Sequence, residues 1–494
     1  MDTADLLALD ATAQAALVRN GEVSAHELIS ASLARIEALN PLLNAVIHPR
    51  FEAALEDARK PLAAGPFSGV PFLVKDLMCT NAGEPLHAGS RYLKRVGHKA
   101  RGDSFLAARQ RAAGLISLGR TNTPEFGSVT TTEPAAYGPT RNPWSLAHSP
   151  GGSSGGAASA VASGMVAMAH GNDGGGSIRI PAAHCGLIGL KPTRGRISFG
   201  PSNGEVWLGA ACEHVLTRSV RDSAAALDAT AGHLPGDPYL TAPPAAPFAD
   251  AAARDPRPLR IGVMTTTPGG RLPLHPDCLL AVERAVHWLG QLGHRVETAY
   301  PGALDVEDEE RHFMKVVAAW VAQGIDAVAR HHGPPLEDEL EPHTDIVYRM
   351  GKSLAATEYL QAQIWLQAHA RAICGWWAQG FDLLLTPATT QPPPRIGAFS
   401  PSSTDPMAPL RGTVPYIAYT VPFNISGQPA ISLPLHHTAE GLPTGVQAVA
   451  AMGREDLLLA VAGQLERAGA WSAVRPQTPR PLEQPHHRQK GETP

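Results

Sequence analysis

The chain has 494 residues, enough for one large α/β domain or two to three ordinary ones. Its 44% apolar and 17% charged residues fit a globular protein with an extensive core and exclude a disordered or fibrous one. A balance of 41 basic against 45 acidic residues, formally −4, lacks the basic excess of a nucleic-acid surface and suits a small neutral or weakly charged substrate.

Met1–Asp10 opens on early acids, without a basic region followed by an apolar core, so no secretory signal is read. No run approaches 18 apolar residues, which argues against a membrane span; a cytoplasmic protein is expected. "SAHELISASLARIEALN" then predicts a helix, with a Ser24-x-x-Glu27 capping box and Leu28, Leu33 and Ile36 at helical spacing. "GVPFLVKD", Gly69 to Asp76, is a short apolar strand ending at a lysine and an aspartate. A helix from about Ser104 to Ala113 and a strand at "LISLGRTN" follow, and 133–156 is rich in Pro, Gly and Ser. "GGAASAVASGMVAMA" is expected to be a buried helix, and "GLIGLKPTRGRIS" a strand.

Residues 233–258, where proline recurs, look like a linker. Beyond them "LRIGVM" predicts a strand and "DCLLAVERAVHWLGQLG" a helix closed by Gly293. The stretch 305–379 is helical and charged; "FDLLLTPAT", "PAISLPL" and "PTGVQAVAA" return to strand patterns. This alternation predicts an α/β protein with one large, mostly buried sheet. A single domain over 1–474 is expected, with its core at 60–230 and 380–465, a helical insertion at about 305–379 acting as a cap, and a disordered tail at 475–494.

The five cysteines are odd in number and scattered, with no Cys/His set at ligand spacing, so reduced thiols are expected and no metal site is read. The "GKS" at 351–353 has Ile346 where a P-loop needs glycine. "GNDGGGSIR" lacks the third glycine of a dinucleotide fingerprint. The pairs His331-His332, His436-His437 and His486-His487 read as surface residues. "GGSSG" at 151–155 satisfies G-x-S-x-G, but no apolar strand runs into it, which argues against a nucleophile elbow.

Lys75, Ser153 and Ser177 all sit in Gly-rich or strand-end contexts. A serine needs a nearby base, and a lysine serves only when burial or a neighbouring cation keeps it neutral. "PFLVKD" supplies apolar surroundings; a strand-end lysine reaching for water is the alternative.

The ordered series "GVPFLVKD", "GRTNTPEF", "AYGPTRNPW", "SPGGSSGG", "GNDGGGSIRIPAAHCG" and "GLKPTRG" resembles the amidase signature family from Gly69 to Gly195, and the likeness resumes at "RSVRD", "TVPFNISGQPAISLP" and "PTGVQ". It implies one mixed central sheet flanked by helices and a Ser–Ser–Lys triad: Lys75 as base, Ser153 as bridge at a cis peptide, and Ser177, 24 residues later, as nucleophile. The backbone N–H groups of Gly174, Gly175 and Gly176 would form the oxyanion hole, with Asp173 and Arg179 bracing the loop. The reaction implied is amide hydrolysis through an acyl-enzyme, faster at mildly alkaline pH, with no metal or organic cofactor. Asn172 and Gly174 stand where common members carry threonine, and Gly174 is expected to loosen the loop and leave space beside the oxyanion.

Within that family, "DATAQAALVRNGEVSAHEL", "TNTPEFGSVTTTEP", "HGND" and "GREDLLL" are similar to the 6-aminohexanoate cyclic-dimer hydrolases, the nylon-oligomer amidases. Small, uncharged aliphatic or aryl amides are therefore expected as substrates, with Ser128 placed to reach a substrate amide and an ordinary loop hydroxyl as its alternative role. The insertion has no cysteine between 305 and 373, where a strict cyclic-dimer hydrolase is expected to carry one near its pocket. A urethanase and an amidotransferase subunit for misacylated transfer RNA are the rival readings. "TNTPEF", in place of T-N-M-D-E-F, favours a stand-alone enzyme over that subunit. No nucleic-acid or membrane partner is expected, and a homodimer is left open.

Overall fold

In the computed structural model, which describes residues 2–402, 404–471 and 475–477, local sequence signals start several elements where expected. Ser24 caps the helix Ala25–Leu43: its Oγ accepts the Glu27 N–H at 3.1 Å, and the Glu27 carboxylate accepts the Ser24 N–H at 2.8 Å. Such a cap contributes about 1 kcal/mol. Ser104 does the same for Phe105–Ala112, accepting the Ala107 N–H at 3.2 Å. The buried stripe Ile29, Leu33, Ile36 and Leu39 packs the first of these helices against Leu73, Ile116 and Leu118 of the sheet.

Eleven strands form one sheet: β1 Val46–Pro49, β2 Pro71–Lys75, β3 Ile116–Thr121, β4 Met168–Asp173, β5 Ile188–Lys191, β6 Cys212–Thr217, β7 Arg260–Val263, β8 Arg295–Thr298, β9 Leu383–Pro387, β10 Ala430–His437 and β11 Pro443–Ala450. Their order is β1-β3-β2-β4-β6-β5-β10-β11-β9-β7-β8. The sheet is mixed: β2 is parallel to β3 and β4, and β7 to β8 and β9, whereas β4/β6, β5/β6, β5/β10, β10/β11 and β9/β11 are antiparallel. Helices cover both faces, so β2, β9 and β11 are buried throughout, without the alternation of a strand that has one face in water. The C-terminal strands β10, β11 and β9 lie between β5 and β7 in the sheet.

Residues 305–379 fold mainly into the helices Glu309–His332, Pro342–Ser353 and Ala356–Cys374, followed by a short 3-10 turn. Phe313, Val316, Val317, Val321 and Val347 pack against Ala88, Tyr92, Ala210, Val421 and Ile425, which sets these helices as a cap over the end of the sheet where β2 and β4 stop. No helix among the described residues is long and apolar enough to cross a membrane.

Three local expectations need correction. "GGAASAVASGMVAMA" is not one helix: Gly155–Ala162 ends before Gly164, whose φ of +74° stops it, and Met168 begins β4. A short buried apolar run does not distinguish strand from helix by period. The 233–258 segment packs on the core, with Phe248 and Ala252 buried in a short helix whose start is capped by Asp228 at 2.7 and 2.9 Å. His436 is also buried, its Nε2 lying 2.7 Å from Asp277 Oδ1, so it is not a surface residue. Residues 478–494 of the expected tail, with His486 and His487, lie outside the described residues.

Candidate active site

Lys75 is the last residue of β2, between β3 and β4, and is fully buried. Its Nζ meets three oxygens: Asn172 Oδ1 at 2.6 Å, Ser153 Oγ at 2.7 Å and Ser154 Oγ at 3.0 Å. Two of these can only accept from it. Asn172 Nδ2 donates to the Leu77 carbonyl, which turns its oxygen to the lysine, and Ser154 gives its own proton to the Asn172 carbonyl at 3.2 Å. A neutral amine has two N–H donors and one lone pair, so Ser153 is left as the hydroxyl that donates to Nζ. Burial holds Lys75 well below its ordinary pKa, while Asp173 and Glu213 pull the other way.

Ser153 follows a cis peptide bond from Gly152. Its loop is tied to the second serine loop by the Ser154 N–H, which donates to the Ser177 carbonyl at 3.2 Å. Ser177 follows β4 by four residues and lines a cavity with Gly175; its hydroxyl has no hydrogen-bond partner among the described residues. The structure thus joins Lys75 directly to Ser153 and leaves Ser177 facing open space.

The loop 174–177 is braced from both sides. The Asp173 carboxylate accepts N–H groups from Gly176 at 2.8 Å and Ile178 at 3.1 Å and is gripped by Arg179 through Nε at 2.9 Å and Nη2 at 2.8 Å. Burial alone would raise the pKa of Asp173, but Arg179 and Asn424 hold the carboxyl well below the usual range. Arg179 in turn donates to the Thr420 carbonyl and Gln447 Oε1, at 3.0 and 2.6 Å. Thr420 Oγ1 donates to the Gly175 carbonyl at 2.6 Å.

This bracing divides the three expected oxyanion donors. The Gly176 N–H is already given to Asp173, whereas those of Gly174 and Gly175 have no partner among the described residues. Gly176, at φ +128° and closed in by Ile180 and Thr420, holds a backbone that a side chain would disturb. The space expected beside Gly174 is not there. A Cβ on Gly174 would lie 2.6 Å from the Trp207 ring, so the indole occupies the place of the commoner threonine side chain. Trp207 stands edge-on to Phe313 of the cap, with centroids 6.0 Å apart.

The cavity over Ser177 measures about 550 Å³. Trp207, Phe313, Met314, Val317, Leu410 and Ile417 make it largely apolar, and Arg271, Glu307, Glu309 and Glu310 bring charge to its lining. Ser128 lines it too, donating to the Glu125 carbonyl at 2.8 Å, with His343 Nε2 at 3.2 Å. Sequence reasoning singled out Asn172 without its contact to Lys75, and missed Trp207, Thr420, Asn424 and Gln447. A signal existed for the last three, since they lie in the segments "TVPFNISGQPAISLP" and "PTGVQ".

A family model described as Amidase matches residues 27–459. A 6-aminohexanoate-cyclic-dimer hydrolase of Paenarthrobacter ureafaciens is 45% identical over 476 residues, 95% of this chain and 96% of that protein. Among solved structures, a 6-aminohexanoate cyclic dimer hydrolase complexed with substrate superposes with a TM-score of 0.92 at 44% identity, over 96% of this chain and 99% of that one. A bacterial aryl acylamidase gives 0.83 at 27% identity, over 94% and 96%.

Proposed function

The chain belongs to the amidase family and is a hydrolase of carbon–nitrogen bonds, and from that premise we propose that it cleaves small, uncharged aliphatic or aryl amides through an acyl-enzyme on Ser177. The observation that carries this reading is the hydrogen bonding of Lys75, which leaves Ser153 as the one hydroxyl able to donate to it. Ser153 passes its proton to Lys75 Nζ and takes the proton of Ser177. The freed Ser177 oxygen then bonds to the amide carbon, and the carbonyl electron pair moves onto oxygen.

The Gly174 and Gly175 N–H groups receive that charge; one such donor contributes on the order of 3 kcal/mol in known hydrolases. Collapse breaks the carbon–nitrogen bond as the relay returns its proton to the leaving amine. Water then releases the acid by the same route. Ser128, with its proton given to Glu125, retains acceptor capacity for a substrate N–H. The apolar cavity and the likeness to the cyclic-dimer hydrolases support aliphatic amides, nylon oligomers among them.

Ser177→Ala is expected to remove the acyl-enzyme seen by mass spectrometry and to lower kcat by roughly 10⁴-fold or more; full activity in this variant would sink the mechanism. A panel of cyclic and linear oligomers, anilides, primary amides and carbamates, run on the isolated chain, ranks the substrates. A carbamate at the top would make it a urethanase, and inactivity on the whole panel would favour a partner-dependent subunit.

A further inference from the structure

His170 and Glu213 form a buried pair next to Lys75 that the reaction above does not use. Their side chains are 0% and 2% exposed. His170 lies two residues before Asn172 on β4, so the pleat places both on one face. Glu213 is paired directly opposite Asn172 on β6, which places it on that face as well. His170 Nδ1 accepts the Lys75 backbone N–H at 3.3 Å. Nδ1 is therefore bare and the proton of the neutral ring sits on Nε2. That nitrogen lies 3.3 Å from Glu213 Oε1, within ion-pair distance but not aligned as a hydrogen bond, and neither atom has a hydrogen-bond partner among the described residues.

We propose that Glu213, beside His170 and opposite Asn172, is a positioning residue that sets the proton affinity of Lys75 and hence the pH at which the base becomes available. The inference rests on Lys75 being the base. A lysine buried without a counter-charge loses its proton easily but is then a weak base, because proton transfer to it has little driving force. A carboxylate on the strand position opposite Asn172, whose Oδ1 lies on Nζ, restores basicity. Burial lowers Lys75, and Asp173 and Glu213 are the groups that raise it.

The other charges nearby are differently engaged. Asp173 is matched by Arg179 at 2.8 Å. Asp76, next in the chain, faces His48 at 3.6 Å and accepts the His87 N–H. Arg120 on β3 donates to the Lys75 carbonyl at 3.2 Å, and its Nη2 lies 3.5 Å from Glu84. Lys191 on β5 donates to the Pro192 carbonyl, and His214 beside Glu213 meets Ser223 at 3.1 Å. Glu213 has no lysine or arginine within ion-pair distance among the described residues, so its charge is left to act on the relay. Burial holds His170 below its ordinary value against the pull of Glu213, which keeps that charge uncancelled.

The test is the pH profile of kcat/KM for the full-length protein on its best amide. Glu213→Gln should move the acidic limb to lower pH by about one unit and lower the alkaline plateau, because the neutral lysine is then the weaker base. Glu213→Asp, which keeps the charge, should leave the limb within a few tenths of wild type. A folded Glu213→Gln variant whose limb stays in place overturns the inference, since a purely structural loss lowers the rate without moving its midpoint. Should that variant fail to fold, Glu213→Met, which also removes the charge, is read in the same way. Lys75→Met separates the two levels. If it still forms acyl-enzyme, the base assignment fails; if it is inactive while the Glu213→Gln limb is unmoved, this inference alone fails.

Discussion

The floor of the site and its roof are built on opposite principles. The floor, Lys75 with Ser153, Asn172, Asp173 and Arg179, is a dense polar network gathered at the ends of β2 and β4, with nearly every donor matched at 2.6 to 3.3 Å. The roof is the 305–379 insertion, which meets the cavity mainly through apolar side chains such as Phe313, Met314, Val317 and Val347. A buried hydrogen-bond network tolerates almost no change, because each lost partner strands another. An apolar wall tolerates substitution if volume is kept. On the proposed mechanism the chemistry is set by the sheet, and the choice of substrate is open to adjustment from the cap.

The sharpest way to break this contrast is to attack the floor away from the reacting atoms. Arg179→Met leaves Asp173 as an uncompensated buried charge and should destabilise the protein by about 3–5 kcal/mol in denaturant unfolding. A loss no larger than that of a cap residue such as Val347→Ala would show that the two regions do not differ as described. Where floor and roof touch, Gly174→Thr drives a side chain into Trp207. It should lower kcat/KM by roughly 100-fold, since Gly174 is proposed as an oxyanion donor and small displacements of such a donor are magnified in rate. The double variant Gly174→Thr/Trp207→Ala should recover at least about tenfold; no recovery would show that the clash is not the cause.

The smallest effect concerns how the cap is held. Glu125, on the loop below it, accepts the Glu341 N–H at 2.8 Å. Burial, helped by the Glu341 carboxyl, pushes Glu125 up to about 7. A raised carboxyl favours the folded state most below its unfolded pKa near 4.5, and the contribution is lost as pH rises through 7. Melting temperature should therefore fall between pH 5 and pH 8 by an amount equivalent to about 1–3 kcal/mol, and Glu125→Gln should flatten that slope. An unchanged slope in the variant would assign the pH dependence elsewhere.

What sequence could reveal divides along the same line. Ser24 and Ser104 announce their helices, and "PFLVKD" its strand, because capping and apolar runs are local. β6 was not anticipated: "CEHVLT" has no clear period, and it is buried throughout because it lies between β4 and β5. The site residues lie in recognisable motifs, yet their partners come from far along the chain. Arg179 meets Gln447 across 268 residues and Thr420 across 241. Nothing local to Gly174 foretells that Trp207 will lie on it.

The interleaved strand order also bears on how the chain is made. All residues proposed for proton transfer and attack are synthesised by Ser177, but β5 waits for β10, which supplies Ser432 opposite Gly189. Until then an apolar edge strand stands open, the kind of surface that invites mispairing and chaperone capture during translation. The Arg179 brace closes only when Gln447 arrives. A nascent chain that has reached residue 400 therefore carries Lys75, Ser153, Ser177 and the Asp173–Arg179 pair, but its loop still lacks the second half of its bracing, from Thr420, Asn424 and Gln447.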